Sequence, residues 1–64
     1  MVTIENIGAT VKIQATDDYY QFVDGWVGIL DCFDSGYGVV HVMDETVESG
    51  YKEFLVPPDQ LVLQ

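Results

Sequence analysis

The chain has 64 residues and carries 11 Asp and Glu against 2 Lys, giving a formal net charge of −9. An apolar fraction of 48% is too high for a solvated acidic tail and specifies a folded domain. The charge repels phosphate backbones and anionic lipid surfaces, which excludes direct nucleic-acid and membrane binding and leaves a basic protein surface as the expected partner.

Met1–Ile7 is an extra edge strand, in which Val2 and Ile4 alternate, or an arm. Thr10–Ala15 is a first strand after Gly8, with Val11 and Ile13 facing one way and Lys12 and Gln14 the other. Thr16–Asp24 is a polar and aromatic loop. A second strand spans Trp26–Phe33, where Val27 and Ile29 share a face and Gly28 admits a close neighbouring backbone. Asp34-Ser35-Gly36 is a tight-turn signal. Tyr37–Met43 is a third strand, with Val40 and Val42 alternating against Val39, His41 and Met43. Asp44–Gly50 is an acidic loop and Tyr51–Val56 a fourth strand. Pro57–Gln60 forms one helical turn, and Leu61–Leu63 returns as a short fifth strand.

Short strands at close spacing, rich in β-branched residues and separated by turn signals, predict an all-β fold. At this length a five-stranded barrel fits better than a sandwich, and 1–64 is expected to be one domain. Such a small domain buries only about 60% of its unfolded surface, so completion of the core by an oligomer or a partner suits its size. Cys32 is the single cysteine, which excludes an intrachain disulfide and points to a reducing compartment. The first residues have neither the basic region nor the apolar stretch of a signal peptide, and no apolar run approaches the ~18 residues that span a bilayer. A cytoplasmic location is expected.

The pattern Gly8-x-x-Val11-x-Ile13, then Gly25-x-x-Gly28, a hairpin, and Phe54-x-Val56-Pro57-x-x-x-Leu61 resembles small SH3-like barrels. Within that group the run Gly8-Ala9-Thr10-Val11-Lys12-Ile13, with Asp18-Tyr19-Tyr20-Gln21-Phe22 and Gly25, resembles the ferredoxin-docking S-type subunit family of the photosynthetic NAD(P)H dehydrogenase-like complex. The E-type barrel family of photosystem I is similar more distantly. Small acidic barrels also resemble the second half, through Gly28, the third strand and Leu55-Val56-Pro57-x-Asp59-Gln60-Leu61. The resemblance implies a five-stranded SH3-like barrel with a helical turn before the last strand, and a role as a small subunit of an electron-transfer complex. Those photosynthetic families present basic residues to an acidic carrier. Lys12 and Lys52 are the only lysines in this chain, so its charge points to the opposite kind of partner.

The acidic residues gather in the expected loops: Asp17, Asp18 and Asp24 in the first, Asp34 at the hairpin, and Asp44, Glu45 and Glu48 in the next. Solubility explains charged loops but not the near absence of basic residues, whereas a concentrated negative field steers basic partners. Carboxylates spaced like phosphates would also let the domain occupy a nucleic-acid-binding site as a mimic. Asp31-x-x-Asp34 and Asp44-Glu45-x-x-Glu48 do not fit a calcium loop, and one Cys with one His falls short of a zinc site. No metal or cofactor is expected.

Tyr19, Tyr20 and Trp26 stand beside these carboxylates, where aromatic rings can bind cationic or proline-rich peptides. Phe22 and Tyr20 are assigned to closing the core. His41 is expected as an exposed strand residue, and Cys32 among acidic neighbours has a raised pKa. With no phosphate loop either, the reading is a non-catalytic binding module whose partner surface comprises Asp17, Asp18, Tyr19, Tyr20, Asp24, Trp26, Asp34, Asp44, Glu45 and Glu48. It would act as an accessory subunit or as an inhibitor of a nucleic-acid-binding protein.

Overall fold

The computed structural model describes residues 1–64. Its strands are β1 (Thr10–Ile13), β2 (Val27–Asp34), β3 (Tyr37–Met43), β4 (Tyr51–Val56) and β5 (Leu61–Leu63). Turns of 3-10 helix occupy Ile4–Asn6, Asp18–Val23 and Pro58–Gln60. All strand pairs are antiparallel, in one sheet of order β4-β3-β2-β1-β5. No helix is long and apolar enough to cross a membrane.

The long strand β2 serves both halves of the sheet. Val27–Ile29 pair with β1, and Ile29–Asp34 pair with β3. Leu30 faces Val40 but Cys32 faces Val39, so Asp31 is the extra residue of a bulge, which bends and twists the strand. Gly28 sits just before this bend. A Cβ there would lie 2.5 Å from the His41 carbonyl oxygen and 2.8 Å from Val40 Cγ1, so the close approach expected at Gly28 requires glycine. Between β2 and β3, Ser35 (φ 53°) and Gly36 (φ 84°) both take left-handed backbone, the requirement of a tight type I′ hairpin turn.

The curl of the sheet gathers eight buried side chains: Val2, Val11, Ile13, Val23, Leu30, Val40, Val56 and Leu61. Tyr20, Phe33, Val42 and Phe54 pack around them half-buried. Across the interior, Leu61 of β5 reaches the backbone of β3 at Gly38, where an added Cβ would meet Leu61 Cδ1 at 2.7 Å. The edge strands β4 and β5 do not pair with each other, so the sheet curls over its core without closing by hydrogen bonds.

Two segments sharpen the sequence expectation, which left Met1–Ile7 as an edge strand or an arm and Thr16–Asp24 as a loop. Residues 1–7 form no strand. The Val2 N–H donates to the Pro58 carbonyl at 3.3 Å and its side chain is buried, while Ile4–Asn6 make a turn closed by a bond from the Thr3 N–H to Asn6 Oδ1 at 2.8 Å. The first long loop is not irregular throughout: Asp17 opens a 3-10 turn over Asp18–Val23 by accepting the Tyr20 N–H at 3.1 Å.

Candidate functional site

The 3-10 turn determines which aromatic side chains of the first loop are presented. Side chains three apart eclipse on such a turn, so Tyr20 and Val23 share one side while Tyr19 and Phe22 share another. Val23 is fully buried and Tyr20 packs against the core; Tyr19 and Phe22 stand 70% and 65% exposed. The assignment of Phe22 to the core is therefore corrected: three-residue periodicity gives that place to Val23. Tyr20 keeps the role expected for it.

The rings fall into two groups. Tyr19 meets Tyr20 edge-on at 4.8 Å, and Tyr37 from the start of β3 lies close enough to help hold the Tyr20 hydroxyl above its ordinary pKa, after the larger effect of burial. Phe22 and Trp26 both contact Phe54 of β4, at 6.1 and 5.6 Å with edge-to-face geometry. Phe54 is thus the ring that organises Trp26, although the sequence pattern marks it only as a residue of the fourth strand.

Several predicted site carboxylates orient backbone. Asp17 caps the 3-10 turn through Oδ1 and accepts from Gln60 Nε2 through Oδ2 at 3.1 Å. Asp24 Oδ1 accepts the Ala15 N–H at 2.9 Å, fastening the two ends of the first loop. Asp34 accepts from the Ser35 hydroxyl in the hairpin turn. Asp44 Oδ1 accepts the Thr46 hydroxyl and N–H at 2.6 and 2.9 Å, and its Oδ2 lies 3.1 Å from Lys52 Nζ. These bonds, the Thr46 hydroxyl foremost, hold the Asp44 carboxyl down at about 2. Asp18, Glu45 and Glu48 are exposed and form no internal ion pair.

The structure does not bring all these residues together. Tyr37 pairs with Asp34 at one end of β3 and Met43 with Tyr51 at the other. Six residue steps along β3 separate the two tips by about 20 Å. Asp34 and Tyr37, with Tyr20 and its neighbours Asp17 and Tyr19, share the first end. Asp44, Glu45 and Glu48 lie at the other.

The outward face of the sheet holds a cluster absent from the sequence expectation. His41 Nε2 is 2.9 Å from Glu53 Oε2 and 3.8 Å from Asp31 Oδ2, and its ring stacks on Tyr51 at 4.3 Å. The His41 side chain is 22% exposed, so it is more covered than the expected exposed strand residue. Cross-strand register explains the Glu53 contact, because His41 and Glu53 stand directly opposite each other on β3 and β4. The bulge supplies Asp31. Next to it, the Cys32 thiol is pushed up by burial first, then by its hydrogen bond to Asp31 and the charges of Asp31, Glu53 and Asp34. No three His, Cys, Asp or Glu side chains converge to hold a metal ion.

Comparison of the chain with protein-family models, curated proteins and solved structures finds no significant match. The functional reading therefore rests on these residues.

Proposed function

We propose that the protein is a non-catalytic acidic binding module, an SH3-like barrel that docks on a basic protein surface as an accessory subunit or as an inhibitor seated in a nucleic-acid-binding site. The observation that carries this reading is the lack of internal neutralisation. Lys52–Asp44 is the one lysine–carboxylate ion pair in a chain of net charge −9. The remaining carboxylates accept from backbone or neutral side-chain donors, lie beside His41, or project freely, and none of them faces a lysine. Such a field attracts a cationic surface over a distance of about a Debye length, roughly 8 Å at physiological salt.

The barrel assignment draws support from the strand order, with β5 returned beside β1 after a 3-10 turn, and from the bend of β2 across both halves of the sheet. The non-catalytic assignment draws support from Cys32, whose raised pKa lowers its thiolate fraction near neutrality. An electron-carrier docking role gains nothing from the lysines, since Lys52 is tied to Asp44 and leaves only Lys12.

Capture from the source cells, followed by binding measured at low and high salt, tests the reading. Affinity should fall steeply with salt, and Asp18→Lys should weaken it more than Glu45→Lys with Glu48→Lys if the end bearing the 3-10 turn docks. Affinity unchanged by salt ends the electrostatic reading. The exposure of Tyr19 and Phe22 favours a second reading, in which the aromatic loop binds lysine- or proline-rich peptides. Trp26 fluorescence reports on it, and a flat titration with both peptide types rejects it.

A further inference from the structure

Alternation along β2, β3 and β4 gives the sheet an outward face that nothing in the chain covers. Val27 and Ile29 of β2, Met43 of β3 and Tyr51 of β4 point outward and remain exposed, Met43 at 81%. With Thr10, Gly28 and His41 they line an open groove of about 480 Å³. An apolar groove of this kind, on a domain that is otherwise strongly charged, marks an interaction surface. Its border is acidic on one side, where Asp31 and Glu53 share the single imidazole of His41. Lys12, outward on β1 and paired in register with Val27, stands at the other side.

We propose that this face docks a cationic amphipathic segment of a partner protein, with apolar side chains seated on Val27, Ile29, Met43 and Tyr51 and Lys or Arg meeting Asp31 and Glu53. The inference rests on the basic-partner reading and locates its apolar anchor on the sheet rather than in the loops. Charge selects the occupant. A second copy would bring another −9 against the first, whereas a basic segment relieves both the exposed apolar groove and the negative field. The groove is open and spans four strands, β1 to β4, which suits an extended or helical segment better than an enclosed small molecule.

The test is an NMR titration of the whole chain with three synthetic peptides of equal length: a Lys/Leu amphipathic peptide, a Lys/Ser peptide and a Glu/Leu peptide. The Lys/Leu peptide should bind about tenfold or more tighter than the others, shifting Val27, Ile29, Met43 and Tyr51. Ile29→Ser with Met43→Ser should lose about tenfold in affinity while the spectrum stays dispersed, and Glu53→Gln should weaken binding independently. Equal binding of the Lys/Ser peptide, with shifts confined to the loop of Asp17–Asp24, overturns the sheet site and leaves the basic-partner reading standing. Equal binding of the Glu/Leu peptide on the sheet overturns the cationic occupant and the charge-driven reading with it. No binding of any peptide overturns both, and a dimer in sedimentation equilibrium that Met43→Ser dissolves shows that a second copy covers the face instead.

Discussion

Gln60 and Asp17, 43 positions apart, are joined by a hydrogen bond from Gln60 Nε2 to Asp17 Oδ2 at 3.1 Å. The same amide presents Oε1 to the Thr16 N–H at 3.1 Å, and the Gln60 carbonyl accepts the Gln14 N–H. Gln60 is nearly fully buried, so its side chain fixes where the first loop leaves the sheet and where the 3-10 turn begins. The presentation of Tyr19 and Phe22 thus depends on a residue from the far end of the chain.

Gln60→Ala should cost about 1–3 kcal/mol, because it removes both partners from partly buried groups. Urea unfolding measures the loss, and amide exchange at Thr16 and Tyr20 should accelerate more than exchange in β3. Gln60→Glu sets a carboxylate against Asp17 and should destabilise more at neutral than at mildly acidic pH. Uniform acceleration across all strands would show that Gln60 acts on global stability alone.

Gly28→Ala addresses the bend of β2. The new Cβ would fall against the His41 carbonyl, which is backbone and cannot turn away, so β3 must shift. Overpacking of this kind costs about 1–3 kcal/mol. That is a large share of the roughly 3–10 kcal/mol available to a domain of this size. Gly38→Ala instead meets the end of the Leu61 side chain and should cost less. The denaturation midpoints of the two variants check the ranking, and the reverse order would contradict the close approach at Gly28.

Much of the sheet is legible in the sequence because its signals are local. The strands Tyr37–Met43, Tyr51–Val56 and Leu61–Leu63 lie between turn residues, and the observed bounds coincide with those expected. Val11 and Ile13 are buried as alternation requires. Val2 is not legible, since its burial depends on the Pro58 turn more than fifty residues away and not on any periodicity of its own. Hydrophobicity alone sends Phe22 to the core, and only the three-residue period of the turn sends it outward. The His41–Glu53 pair follows once Met43 is set opposite Tyr51, by counting two residues back on β3 and two forward on the antiparallel β4. Asp31 shares that face by alternation from Val27 and Ile29, but its position as the unpaired residue of a bulge follows from no local signal.

Cys32 offers a chemical check on the outward cluster. With its thiol held above the ordinary value by burial, Asp31 and nearby carboxylates, alkylation by iodoacetamide at pH 8 should run slower than that of glutathione and keep rising with pH. Asp31→Asn removes the hydrogen-bond partner and the nearest charge and should speed the reaction. Unchanged kinetics in that variant would place the shift wholly in burial.

Asp44 makes the stability of the β3–β4 hairpin sensitive to acid. Its carboxyl is held at about 2 in the folded chain against an ordinary value of 3.8. A depressed folded value means the unfolded chain takes up the proton more readily, so the contribution is fully present above about pH 4. It is lost as pH falls from there through about 2, where both states are protonated. Asp44→Asn should therefore be less stable than the native chain at neutral pH, with the difference shrinking across that window. The Thr46 hydroxyl is the largest single cause of the lowering, so Thr46→Val, which removes it and keeps the N–H, should narrow the window. Added salt should weaken the Lys52 contribution first, because that ion pair is half-exposed at the lysine end. Thermal melts at stepped pH and salt measure both effects, and a larger loss from Lys52→Met than from Thr46→Val would show that the ion pair, rather than the Asp44–Thr46 turn, governs the hairpin.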